Sequence, residues 1–320
     1  MTEVSSKIKT EKKSHSLPVD LLIRMVKEKR MGTVGGLITL LLLLTAIFAN
    51  FLAPYGPNVV NPDINLLPPS AHFLLGTDNL GRDMLSRVIY GARVSVIVGL
   101  AASLMCTLVE TILGLLCGYI GGKFDLIVQR VVDAVMCFPG LLLMMVLISI
   151  IGPGLWTMIL VLGITWGIAG SRLIRSATIT IKENTYVQAA RATGCSTATI
   201  LFRHLMPNIM STMIISFTMR VPGVILTEAS LSFLGYGIPP PAASWGAMLS
   251  GMGRTYMFLA PWIVIWPGVA LTITVFGVNM FGDALRDLLD PRMRGGIGRY
   301  GLKAKRKTSA KSESSVSPSD

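Results

Sequence analysis

Three ionisable side chains stand in otherwise apolar surroundings: Glu110 in SLMCTLVETILGLLC, Arg220 in IISFTMRVPGVIL and Glu228 in VILTEASLSFL. A charge placed in hydrocarbon is costly and survives by pairing or by facing a polar cavity. Two readings follow for Glu110, Arg220 and Glu228. They line a path for a polar solute, or they form a structural ion pair, Arg220 meeting Glu110 in this chain or a carboxylate of a partner chain across a subunit interface. A second group, Gly76, Thr77, Asp78, Gly81, Arg82 and Asp83 in GTDNLGRD, has the composition of a locally hydrogen-bonded turn. It is read as a turn in its own right, or as part of a surface that receives a partner.

Other chemistry is missing from the sequence. A phosphate cradle needs GxxxxGK[ST], so that backbone amides and a lysine converge on the phosphates. No segment has that spacing, and HExxH and GxSxG are absent too. The four cysteines (Cys106, Cys117, Cys137, Cys195) form no CxxC pair, and three lie in apolar runs, as small apolar side chains do. The histidines (His15, His72, His204) are scattered. The expectation is therefore no metal site, no catalytic centre and no cofactor bound by this chain.

What must position the buried charges is a set of membrane helices. The chain is 52% hydrophobic and only 14% charged, against about 25% charged in a soluble domain. The apolar residues come in runs, and about 20 suffice to cross a bilayer. Spans are predicted at about 31–53, 94–117, 131–151, 155–173, 209–234 and 261–282, within a membrane domain of 31–292. Pro139 is expected to kink the third, and GRDMLSRVIYGAR to form a separate short amphipathic helix before the second. Residues 1–30 form a polar tail, with a first apolar run too long for a cleaved signal peptide. Residues 293–320 are basic and Ser/Lys-rich and are expected to be disordered.

The net charge of +12 would suit nucleic acid in a soluble protein. Here the cations sit in tails and connections, so no nucleic-acid partner is expected, and they read as topology. Eight Lys and Arg lie in the N-terminal tail, two in 119–130, five in 172–206 and nine beyond the sixth span. The opposite side holds four, Arg82, Arg87, Arg93 and Arg254. The bias places both termini in the cytoplasm, which requires an even number of spans.

The longest central polar stretch contains YVQAARATGCSTATILFRHLMPN, residues 186–208. Residues 185–192 are helix formers, Gly194 suits a left-handed cap, and Ser196 or Thr197 can cap a second short helix reaching about His204. Pro207 is expected to start the fifth span, where a missing amide costs nothing. Ala189, Ala190 and Ala192 leave a surface that another protein could approach closely. An ordinary interfacial connector would look similar.

At this point the stretch resembles the EAA signature of ABC-importer permeases. Gln188-Ala189-Ala190, Gly194 and Leu205-Met206-Pro207 fall at its spacing, with Gln188, His204 and Met206 departing from its Glu, Ile and Leu. Segments 73–99, 228–249 and 281–292 resemble the dipeptide/oligopeptide/nickel permeases, and within them the C-type subunit. The resemblance covers roughly residues 30–292. It implies a multi-pass inner-membrane protein with the all-α type I ABC-importer permease fold, six transmembrane helices and a cytoplasmic coupling helix. It implies a homologous second permease subunit, two cytoplasmic ATPase subunits that use the ATP and Mg, an extracytoplasmic substrate-binding protein, and surrounding membrane lipid. Residues Gln188 to Pro207 would be the ATPase-coupling segment. A self-sufficient secondary transporter or channel is the alternative; such proteins usually show internal repeats, and residues 31–151 and 155–281 show none.

Overall fold

The structure, a computed structural model, describes residues 25–289. The expected C-terminal tail and most of the expected N-terminal tail lie outside the described residues. All named elements are helical: α1 (Arg30–Ile47), α2 (Ala49–Leu52), α3 (Met84–Ile120), α4 (Gly122–Met136), α5 (Gly140–Ile151), α6 (Leu155–Lys182), α7 (Thr185–Ala192), α8 (Thr197–Thr199), a π-helical stretch (Ile200–Leu205), α9 (Met206–Phe233), α10 (Trp245–Leu249), α11 (Gly251–Tyr256) and α12 (Trp262–Leu289). Five helical runs are long and apolar enough to cross a membrane: α1, α3, α6, α8 through α9, and α12. The sixth span exists if α4 and α5 count as one, and these are bent 92° apart.

That bend corrects the expected kinked third span. Pro139 removes a backbone donor, and its ring disfavours helical geometry at Phe138. The chain therefore stops at Met136 and restarts at Gly140 as a separate helix. Three further boundaries shift. The short helix expected before the second span is continuous with it, so that α3 is 37 residues long. Asp83 starts it, its side chain accepting from the Ser86 amide, and no proline interrupts the run. The fourth span continues to Lys182, so the first part of the expected central loop is the same helix prolonged past its apolar run. Pro207 does not begin a new helix: α8, the π stretch and α9 run unbroken from Thr197 to Phe233. In a regular helix the proline ring would strike the carbonyl four residues back; the widened π turn just before it gives that carbonyl room.

The most extensive helix pair is α3 with α6. In a bilayer helices gain little from the hydrophobic effect, and small residues allow the close approach that packing needs. A Cβ on Gly163 would lie 2.6 Å from Met105, and one on Gly167 2.6 Å from Val109. Further along the same seam a Cβ on Gly114 would lie 2.6 Å from the Ile174 Cβ and 2.7 Å from the Ser171 carbonyl. The α1–α12 pair uses the same device, with Gly35 against the Gly277 carbonyl. Beyond the bundle, α10 is held by Trp245, whose indole donates to the Val88 carbonyl of α3 at 2.9 Å.

Gly114→Leu should therefore part α3 from α6. Overpacking of this kind costs about 1–3 kcal/mol, so the purified protein in detergent should show a lowered thermal unfolding midpoint. Leu104→Ile, on the exposed side of α3, should not lower it.

Candidate coupling surface and buried charge sites

The 186–208 segment folds as a compact knob. In α7 Val187 and Ala190 point inward and are buried, while Gln188, Ala189 and Ala192 are exposed. Val187 joins an apolar cluster with Leu115 of α3, Ile174 of α6, and Ile200, Leu205 and Ile209. The helix stops at Thr193, and Gly194 takes φ +79°, a left-handed geometry that glycine adopts at little cost. Ser196 then caps α8, accepting from the Thr199 amide at 3.3 Å. The seven residues singled out from sequence thus divide. Gln188, Ala189, Gly194 and Pro207 are exposed; Ala190 and Leu205 are buried, and Met206 is half-buried. The Gln188 side chain donates to the Glu183 carbonyl at 3.2 Å, closing on its own helix start.

Deeper in the bundle the structure brings Glu110 and Arg220 together. Arg220 Nη2 donates to Glu110 Oε2 at 2.7 Å, and Ser216 Oγ donates to Glu110 Oε1 at 2.7 Å. Ser216 and Arg220 are four residues apart in α9 and so share a face. Glu110 is fully buried and the Arg220 side chain 20% exposed. Removing water strengthens such a pair but exacts a desolvation penalty, which further hydrogen bonds such as that of Ser216 offset. Space for the pair comes from Gly170 of α6, where a Cβ would stand 2.2 Å from both Arg220 Nη2 and Glu110 Oε2.

Glu228 does not join this pair. It is buried in the last part of α9, and its Oε1 accepts from Ser232 at 2.7 Å and from Ser244 at 2.9 Å. Ser244 immediately precedes α10, so the carboxyl pins the 235–250 segment to α9 rather than meeting a cation.

In the turn before α3, Asp78 accepts from the Leu80 and Arg82 amides at 2.8 and 2.9 Å and from Arg82 Nε at 2.6 Å. Asp83 accepts from both the amide and the hydroxyl of Ser86. Thr77 donates to the Ile64 carbonyl and accepts from the Leu67 amide. Gly76 and Gly81 have φ of +80° and +69°. All six residues thus serve a self-bonded turn that starts α3, and the Trp262 indole ties it to α12 by donating to the Thr77 carbonyl at 3.0 Å.

Several ion pairs were not foreseen, and two of them join α4 to α6. Arg175 grips Asp125 through two nitrogens, Nε at 2.6 Å, and Arg172 pairs with Asp133. Both lash α4 across α6. Their partners lie 50 and 39 residues apart, a separation that no local pattern reveals. Gly170 was likewise missed. It stands between Ala169 and Ser171 in a run of small residues, and nothing local marks it as the one that faces a charge. Among the described residues no group of three or more His, Cys, Asp or Glu could hold a metal ion.

Comparison with known proteins gives these features a setting. Residues 110–295 match the family model described as "Binding-protein-dependent transport system inner membrane component", and residues 19–69 match "N-terminal TM domain of oligopeptide transport permease C". A glutathione transport system permease protein of Pectobacterium atrosepticum is 40% identical over 273 residues, 85% of this chain and 90% of the relative. An oligopeptide transport system permease protein of Bacillus subtilis is 39% identical over 289 residues, 89% and 93% of the two chains. A putative peptide transport system permease protein of Brucella suis is 37% identical over 277 residues, 87% and 93%.

The buried pair predicts a strong asymmetry between single and double variants. Arg220→Gln strands the Glu110 charge and should cost about 3–5 kcal/mol. Adding Glu110→Gln should recover part of that loss, with a coupling energy of about 0.5–3 kcal/mol in a double-mutant cycle read by chemical unfolding.

Proposed function

This chain belongs to the family of binding-protein-dependent transport system inner membrane components, and on that premise we propose how its residues divide the labour of an ATP-driven importer. It is a permease subunit of such an importer. The residues that take up the motion are Gln188, Ala189, Ala190, Gly194, Leu205, Met206 and Pro207. The observation that carries this reading is the two-sided build of α7: Val187 and Ala190 are sunk toward α3 and α6, while Gln188 and Ala189 are exposed. A knob with a fixed base and a small-residue outer face suits a groove on a cytoplasmic ATPase. The partners are two such ATPase subunits, which bind the ATP and Mg, a homologous second permease that completes the pore, and an extracytoplasmic binding protein. The chain itself performs no hydrolysis and binds no cofactor. The membrane is the inner membrane, with both termini in the cytoplasm.

The substrate class is peptides or a related small solute, as the names of the relatives suggest. Glu110 and Arg220 act as a structural strut between α3 and α9 rather than as a lining of the path. Glu228 acts as a fastening for the 235–250 loop. The turn formed by Gly76, Thr77, Asp78, Gly81, Arg82 and Asp83 shapes the outer face on which the binding protein lands. Closure of the ATPase pair would move the knob, and the helices attached to it would follow as rigid bodies.

Two experiments test this. Inserting a flexible linker after Gly194 should leave the membrane fold and its span number intact, yet separate ATP hydrolysis from uptake in reconstituted vesicles. A linker variant that transports as well as the wild type sinks the coupling role. For orientation, single cysteines placed at Ala189 and at Asn79 should label with a membrane-impermeant maleimide from opposite faces, Ala189 only in inverted vesicles; labelling of both from one face contradicts the proposed topology.

A further inference from the structure

The knob has a second attachment, at the C-terminal end of α3. Tyr119 lies in the last turn of that helix and packs, partly buried, on the apolar cluster beneath α7. Lys182, the last residue of α6, donates from Nζ to the Tyr119 carbonyl at 2.7 Å and stands 5.8 Å from the centre of its ring. Arg191 of α7 places its guanidinium carbon 5.3 Å from the same ring centre. A cation near a helix C-terminus satisfies a carbonyl that has no partner within the helix and complements the helix dipole. A cation near an aromatic ring is drawn to the negative potential over its face. One tyrosine thus gathers the ends of α3, α6 and α7.

Besides the apolar packing of Val187 with Leu115 and Ile174, two routes lead from the knob into the bundle. The first passes from Val187 to Ile200 and Leu205 and on through the unbroken helix to Arg220. The second passes from Arg191 to Tyr119 and along α3 to Glu110, nine residues or about 14 Å away at 1.5 Å per residue. The routes meet again where Arg220 binds Glu110. If one helix moved without the other, that buried pair would be pulled apart at high cost.

We propose that Tyr119 is a positioning residue for energy coupling: with Arg191 and Lys182 it ties α3 to the coupling helix, so that α3 and α9 move together and the Glu110–Arg220 pair stays closed through the cycle. The proposal rests on the reading of residues 188–207 as the coupling segment. It needs the aromatic ring and not the phenolic hydroxyl, because the contacts use the ring and the backbone carbonyl.

The test uses the full complex of this chain, its partner permease and the two ATPases in nanodiscs. The readout is the ratio of hydrolysis stimulated by the binding protein, purified with the ligand it carries, to basal hydrolysis. Tyr119→Leu and Arg191→Gln should each lower this ratio by roughly two- to five-fold, the range of a partly exposed cation–ring contact. Tyr119→Phe should match the wild type, and the Tyr119→Leu complex should still retain its ATPases on purification. The proposal is overturned if Tyr119→Phe falls as far as Tyr119→Leu, or if Tyr119→Leu stimulates normally. Should Tyr119→Leu fail to assemble, Arg191→Gln decides, and a normal ratio in it is equally fatal. If the linker after Gly194 abolishes stimulation while Tyr119→Leu does not, only the Tyr119 link fails. If the linker itself changes nothing, the coupling reading fails with it.

Discussion

The fold depends on how closely α3 and α6 can approach. Lipid tails reward no apolar side chain for leaving them, so helix association must come from tight packing and from polar contacts between helices. Glycines at 114, 118, 163 and 167 supply the tight packing. The same closeness brings Gly170 to the edge of the Glu110–Arg220 pair, so the seam that builds the bundle also makes the space in which its charges are buried. With larger residues along the seam the pair would lose its room, and α9 would lose its polar attachment to α3.

The charges then sort by environment rather than by residue type. Glu110 has a cation and a serine hydroxyl. Glu228, further along α9, has two serine hydroxyls and no cation among its bonds. Asp78 and Asp83 spend their acceptors on nearby amides, on the Ser86 hydroxyl and on Arg82. Asp125 and Asp133 each meet an arginine of α6. Glu110 and Glu228 therefore join a helix to another helix or to a loop, whereas the carboxylates of the turn before α3 shape a local backbone path.

Much of this was legible in the sequence, for physical reasons that differ by element. Hydropathy located the long apolar helices, α4 and α5 excepted, because a membrane helix must satisfy its own backbone. Gly194, Ser196 and the 185–192 helix were legible because caps act within a few residues. The helix ends at Lys182 and Met84 were not, since polarity marks where the lipid stops and not where the helix does. The break at Pro139 was foreseen as a kink but not its size; the pairs of Asp125 and Asp133 that hold α4 against α6 join segments far apart in the chain. The Glu110–Arg220 contact was one of two readings from sequence. Tyr119 gave no local signal, because its partners come from the ends of two other helices.

The unbroken helix from Thr197 to Phe233 has a mechanical consequence. Its 37 residues follow roughly 55 Å of helix at about 1.5 Å per residue, with the π turn at Ile200–Leu205 and Pro222 along the way. The 235–250 loop is fastened near its C-terminal end, through Glu228 and Ser244. Knob and loop are thus ends of one hydrogen-bonded helix, and a bend between them would concentrate at the π turn or at Pro222, the two places where such a helix yields most readily.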